Sequence, residues 1–364
     1  MSFRLKPLFS LSILLCLFVS FSWAQEKQVK RETVENGFAL QVTIPSGQER
    51  VKENILKRLE KYKIPGASVA VVHNGKLDWS KSYGVTQIGS TDSVTTQTLF
   101  QCASIGKMIT AIAALQLVDD GLIDLDEPVN NKLKQWKIPE NEKTATKPVT
   151  LRHLLSHSAG LTDDYGFLGY GPKDEIPSPV QILNETSPAK KTKSMKIQYE
   201  PGTIERYSGG GYLIIQLLIE DLSIMSFEEY VLHHILSPLK MNQTTYAPKP
   251  EIKKNVSIAL GHNGNGKPLK NKKYNIYPEH AAAGPWTTAE DLAKFIIGIQ
   301  NAYHGKDSTL ATPSLVKEML IPQINTRGIG ANLRGVERVE AFWHSGQNLG
   351  YTSLLYGLSN RWDG

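Results

Sequence analysis

Cysteine is nearly absent. The 364 residues hold two, Cys16 and Cys102, and Cys16 lies in an N-terminal apolar run, so a processed chain keeps one thiol and closes no internal disulfide. Stability must then come from a buried core. Long hydrophobic runs are also lacking: the one at residues 8–21 is too short and too near the N-terminus for a membrane span. Charge of one sign is scarce. The net charge of +6 includes Arg4 and Lys6, and losing both with residues 1–24 leaves +4, too little to argue for a nucleic-acid partner. The chain shows no internal repeat, low-complexity tract, phosphate loop or zinc-ligand cluster, so no cofactor or metal is expected.

Residues 1–24 read as a secretory signal. Arg4 and Lys6 form the basic start, and Ser22-Trp23-Ala24 gives a small-x-small cleavage site before Gln25. A lipid-modified Cys16 is disfavoured because bulky Leu15 precedes it. The expected location is secreted or periplasmic, with no stable membrane insertion after cleavage. Residues 25–48 are a polar lead-in, and residues 49–364, with 40% apolar composition overall, can bury one large core or two interleaved lobes.

The chain is organised around Phe100–Asp120, closed by Gly121. At helical spacing Ile105, Met108, Ile109, Ile112, Leu115 and Leu117 leave almost no polar face, which predicts a helix buried on most sides. Ser104 and Lys107, three apart, fall on one face of its first turn. An amine in that place can take the proton of the neighbouring hydroxyl and so make a nucleophile. The Ser-x-x-Lys pattern occurs four times, at Ser104, Ser187, Ser237 and Ser314. Only Ser104 stands where a buried helix begins. Cys102 has no activating partner nearby in sequence and reads as a small buried hydrophobe.

Around this stretch the periodicity predicts an amphipathic helix over 49–62, then strands 66–73 and 76–83 joined by an Asn74-Gly75 turn. His153 and His157, four apart, could ligate a metal on a helix, but no third ligand accompanies them and a structural role is favoured. Residues 164–200, rich in Gly, Pro and Lys, read as mobile surface over the site, with Lys190, Lys191, Lys193 and Lys196 a solvated face. Tyr207 precedes a glycine-rich turn, Gly209 to Gly211, into an apolar helix, Tyr212–Asp221, and can project its hydroxyl into a cavity beside Lys107. Residues 225–246 read as a further helix and loop, and 281–284 as a small-residue turn before a capped helix at 287–295. Residues 339–356 read as a strand, a glycine-containing bend and a second strand. Backbone amides on such a strand edge can bind an extended substrate and a developing oxyanion. Helix, antiparallel strands and buried helices together predict an α+β fold: an antiparallel sheet flanked by helices, with a mostly α-helical lobe.

Ser104-Ile-Gly-Lys107, Tyr207-Ser208-Gly209 and His344-Ser345-Gly346, in that order, resemble the three motifs of the serine β-lactamase and penicillin-binding-protein-like family, in its class C-like branch. The segments IPGASVAVVHNG, LRHLLSHSAGL, EPGTIERYSGGGY and AAGPWTTAEDLAKF extend the likeness over about residues 50–357. The resemblance implies that Ser104 is acylated, Lys107 is base or proton relay, Tyr207 assists attack or protonates the leaving group, and His344 flanks the site. It implies an oxyanion hole from the amides of Ser104 and Gln347, with Ser345, Gly346, Gln347 and Gly209 against the substrate. Two positions depart from the family pattern. Gly209 stands where asparagine is usual, and His344 where lysine is usual, and a neutral imidazole grips a substrate carboxylate less strongly. The resemblance therefore implies an exported esterase or D-amino-acid peptidase or carboxypeptidase acting on small esters or peptides. The alternatives are a class C-like β-lactamase acting on lactams and a non-turnover penicillin-binding or sensor module. Relatives add a strand and a closing helix beyond this point, so both are expected to be missing after Trp362.

Overall fold

Eleven of the fourteen residues of the helix Gly106–Asp119 are buried, so its sequence carries almost no polar face. It sits in a computed structural model that describes residues 31–39, 52–162, 167–190, 195–247, 257–269, 273–335 and 339–359. The chain forms two units, divided between Ile64 and Pro65. The signal-sequence reading of 1–24, and Lys191 and Lys193, lie outside the described residues.

In the first unit β1 (Phe38–Ala39) pairs antiparallel with β2 (Lys52–Glu53). Helix α1 (Ile55–Lys61) follows. It starts later than the periodicity predicts because Asn54 caps it, accepting from the Leu56 amide at 2.9 Å.

The second unit opens with the expected hairpin, β3 (Gly66–His73) and β4 (Lys76–Gly84), in antiparallel register from Gly66↔Gly84 to His73↔Lys76. Asn74 and Gly75 both take left-handed φ, 51° and 69°, as a tight two-residue turn demands. β5 (Phe100–Gln101) leads through a 3₁₀ turn, Ala103–Ile105, into α2 (Gly106–Asp119). Short helices α3 (Glu142–Thr146), α4 (Leu151–Leu155) and α5 (Pro179–Leu183) follow, each opened by a capping box. α6 (Gly209–Ser223) begins three residues before the predicted Tyr212, since Ser208 Oγ accepts from the Gly211 amide at 2.8 Å. After α7 (Phe227–Val231) the chain makes one π-helical turn, Leu232–Leu236. The small-residue turn condenses into α8 (His280–Ala283), followed by β6 (Trp286–Thr287), α9 (Ala289–Tyr303) and α10 (Pro313–Met319). β6 pairs with β5. β7 (Asn332–Arg334), β8 (Ala341–Asn348) and β9 (Tyr351–Leu358) form one antiparallel sheet.

The result is the α+β arrangement that the sequence predicts. One core holds α2 at its centre, with side chains from α4, α6, α7, α9 and α10 around it. Truncating a core side chain such as Ile109 or Leu115 to alanine costs about 2–5 kcal/mol. Within the expected mobile surface, residues 167–190 and 195–200 hold more order than the composition suggests: α5 buries Ile182 and Leu183, and Tyr170 and Ile276 exchange both backbone hydrogen bonds. Among the described residues no single helix is long and apolar enough to cross a membrane.

Candidate active site

Ser104 lies in the 3₁₀ turn that feeds α2, and the turn is tight: Ala103, immediately before it, holds φ at 50°, a left-handed value unusual for a residue with a Cβ. Lys107 begins the next turn and is 2% exposed. Its Nζ donates to the Ala282 carbonyl at 2.7 Å and to Ser104 Oγ at 3.2 Å. The hydroxyl is half-buried, so it stands between solvent and the buried amine.

The carbonyls that hold this cluster come from α8. The last carbonyls of a helix lack intrahelical partners, and here three consecutive ones are satisfied from three directions. Ala281 accepts from Thr110 Oγ1 at 2.8 Å, Ala282 from Lys107, and Ala283 from Asn348 Nδ2 at 3.1 Å. Asn348 also donates to Gln101 Oε1 at 2.9 Å, and so ties the end of β8 to β5 just ahead of Ser104. At the N-cap of α8, Glu279 is buried, and desolvation pushes its carboxyl up to about 8.

Tyr207 precedes the cap of α6. Lys107 Nζ lies over its ring at 5.0 Å and the Arg327 guanidinium Cζ at 5.8 Å, and the His157 ring meets it at a centroid distance of 4.2 Å. Arg327 is fixed by Glu205, whose Oε1 accepts from its Nη2 at 2.9 Å and its Nε at 3.1 Å. The Tyr207 and His344 rings are 6.2 Å apart. His344 is buried, and its Nδ1 lies 2.6 Å from the Ser345 carbonyl, which can only accept, so the proton is on Nδ1. Nε2 is therefore an acceptor, buried and without a hydrogen-bond partner among the described residues. Desolvation first, then the charges of Lys107 and Arg327, hold this imidazole down at about 3.

The strand lies directly against the nucleophile's turn. A Cβ on Gly346 would fall 2.1 Å from the Cys102 carbonyl, which also accepts from Ser353 Oγ at 2.8 Å. Along β8 burial alternates: His344, Gly346 and Asn348 face inward, whereas the side chains of Ser345 and Gln347 point to the exposed face. The structure thus brings Ser104, Lys107, Tyr207 and His344 together with Gly346. It turns the Ser345 and Gln347 side chains away, leaving their backbone as what they can offer a substrate. Gly209 is buried beneath the Phe167 ring.

Burial pushes the Cys102 thiol up to about 12, which fits a packed thiol rather than a nucleophile. His153 and His157 each spend Nδ1 on a backbone amide, those of Thr150 and Ser208. Burial, with Arg327 and Lys107 close by, holds His157 far below its usual range. Sequence reasoning had separated His157 from the site, yet its ring packs on Tyr207. It missed Asn348, Arg327 and the α8 carbonyls altogether. A polar residue two positions past the third motif was the only signal for Asn348.

A profile of the β-lactamase family matches residues 51–360. The chain belongs to this family. Similar proteins include protein flp of Staphylococcus aureus strain MW2, 26% identical over 68% of this chain and 48% of the relative. They also include a teichoic acid D-alanine hydrolase of Staphylococcus aureus, 28% identical over 68% of this chain and 58% of the relative. The chain thus spans about half the length of the curated relatives it matches. Among solved structures, the octameric penicillin-binding protein homologue of Pyrococcus abyssi superposes with a TM-score of 0.69 at 25% identity, over 85% of this chain and 70% of that one. The penicillin-binding protein of Bacillus halodurans superposes with a TM-score of 0.66 at 20% identity, over 85% and 92%, a likeness of fold.

Proposed function

We infer that this β-lactamase-family chain is an exported serine hydrolase that cleaves small esters of the D-alanyl type through an acyl-enzyme on Ser104. The observation that carries this reading is the Ser104 hydroxyl 3.2 Å from a buried amine, with a tyrosine ring against that amine. Lys107, with Tyr207, takes the Ser104 proton as Oγ attacks the ester carbonyl. The amides of Ser104 and Gln347 receive the developing oxyanion. Collapse expels the alcohol, which regains a proton from the Lys107–Tyr207 pair, and water then hydrolyses the acyl-serine by the same relay.

The choice of ester over lactam or carboxypeptidase substrate rests on His344. A lysine there would offer a permanent cation to a substrate carboxylate, but the imidazole is held neutral and presents a lone pair. A D-alanyl ester carries an ammonium and no free carboxylate, which suits an acceptor. The likeness to a teichoic acid D-alanine hydrolase supports the same class. The signal-like residues 1–24 support export.

A fluorophosphonate probe tests the nucleophile: rapid labelling of the wild type and none of Ser104→Ala is expected, and equal labelling of both defeats the assignment. Turnover of D-alanyl esters is then compared with that of a chromogenic cephalosporin. Fast cephalosporin turnover without ester cleavage overturns the substrate class.

A further inference from the structure

Ser208 is extended, with φ −135° and ψ 120°, so the side-chain directions at 207 and 209 leave the backbone on one side and that of Ser208 on the other. Ser208 turns inward to cap α6. A side chain at 209 would therefore emerge beside Tyr207. That space is filled, because a Cβ on Gly209 would lie 2.7 Å from Cε2 and 3.0 Å from Cζ of Phe167.

The placement of Phe167 is enforced from the nucleophile's own strand. Gln101, three residues before Ser104, donates to the Asn275 carbonyl at 2.7 Å, and Asn275 Nδ2 donates to the Leu168 carbonyl at 3.1 Å. Tyr170 and Ile276 complete the link through paired backbone bonds of 2.8 and 2.7 Å. The backbone that follows Phe167 is thereby tied to β5, the strand that leads into Ser104.

We propose that Phe167 is a specificity-determining residue of the Ser104 site, its ring standing where a polar side chain at 209 would flank Tyr207. The inference rests on the hydrolase reading above. An apolar wall of fixed depth accepts the methyl of a short acyl group such as D-alanyl. An acyl group bearing an amide-linked extension would press an N–H or C=O against the ring with nothing to pair it, and sites that leave such groups unpaired reject them strongly.

The test compares kcat/KM for a D-alanyl ester and its N-acetyl-D-alanyl counterpart with the same leaving group. Wild type, Phe167→Ala and Phe167→Leu are each checked for folding by thermal melting. The wild type is expected to favour the free D-alanyl ester by about 10-fold or more, Phe167→Ala to reduce that preference about 10-fold, and Phe167→Leu to fall between. Adding Gly209→Asn to Phe167→Ala supplies an amide in the vacated space and is expected to move the preference further. Because the readout is a ratio within one protein, losses common to both substrates cancel. An unchanged ratio in both single variants, with wild type still labelled at Ser104, overturns the role of Phe167 and leaves the hydrolase standing. A wild type that is not labelled at Ser104 removes the hydrolase reading and this inference with it.

Discussion

Gly346 meets Cys102 so closely that a Cβ on the glycine would fall 2.1 Å from the cysteine's carbonyl oxygen. No flexible side chain can yield there, since the obstacle is backbone two residues before Ser104. Gly346→Ala must push β8 away from the nucleophile's turn. The expected penalty is about 1–3 kcal/mol of stability, read as a drop in melting temperature, together with loss of fluorophosphonate labelling. A variant that melts and labels like wild type refutes the contact.

Asn348 holds two buried acceptors at once, and its donors cannot be replaced by an acid. Asn348→Ala leaves Gln101 Oε1 and the Ala283 carbonyl unpaired, an expected loss of about 1–3 kcal/mol. Asn348→Asp aims a carboxylate at both oxygens and is expected to be worse at neutral pH. Urea denaturation ranks the three proteins, and aspartate equal to asparagine contradicts the assigned hydrogen bonds.

Buried imidazoles set the acid side of stability, His157 and His280 among them. His344 is held down to about 3 and His153 to about 4, both chiefly by desolvation. Below about 6.5 the unfolded chain takes up protons that the folded chain refuses. The stability present above that pH is therefore lost progressively as pH falls towards 4 and 3. Urea midpoints measured from pH 8 to 4 should decline, and His344→Gln should flatten part of the decline. A flat wild-type profile contradicts both shifts.

The same neutral His344 should be silent in the pH dependence of catalysis. Its protonation lies near pH 3, so the pH dependence of kcat/KM between 5 and 8 should lack a step from this ring. His344→Gln should therefore alter the height of the profile and leave its shape in that range. A limb that disappears in the variant would show that the imidazole titrates there.

Glu279 acts in the opposite direction. Its carboxyl is raised from 4.5 to about 8 by burial, so its contribution is fully present below about 4.5 and is lost as pH rises through 8. Glu279→Gln removes that loss and should raise the melting temperature at pH 8 more than at pH 5. A gain that does not grow with pH disproves the buried protonated state.

The fold was legible where pattern and chemistry agree. The hairpin followed from alternating residues around Asn74-Gly75, and α2 from its all-round apolar character. Ser104 and Lys107 could be picked from four similar patterns because only one opened a buried helix. Elsewhere the signal was local and the cause remote. Ser208 set the start of α6 through its hydroxyl, and Asn54 delayed α1. Arg327 reaches Tyr207 from a loop far along the chain, and nothing in its immediate sequence announces that. Phe167 lay in a stretch whose composition spoke for surface, while the carbonyl of its neighbour Leu168 is held by Asn275 from more than a hundred residues away.

Helix α8 contributes to the cluster through peptide oxygens alone. Residues 281, 282 and 283 are already alanine, so a conventional scan that trims every side chain to a methyl would pass over the mount of the reactive amine without registering it. Its importance is exposed directly by altering the main chain itself, through an ester in place of the amide or a proline that reorients it.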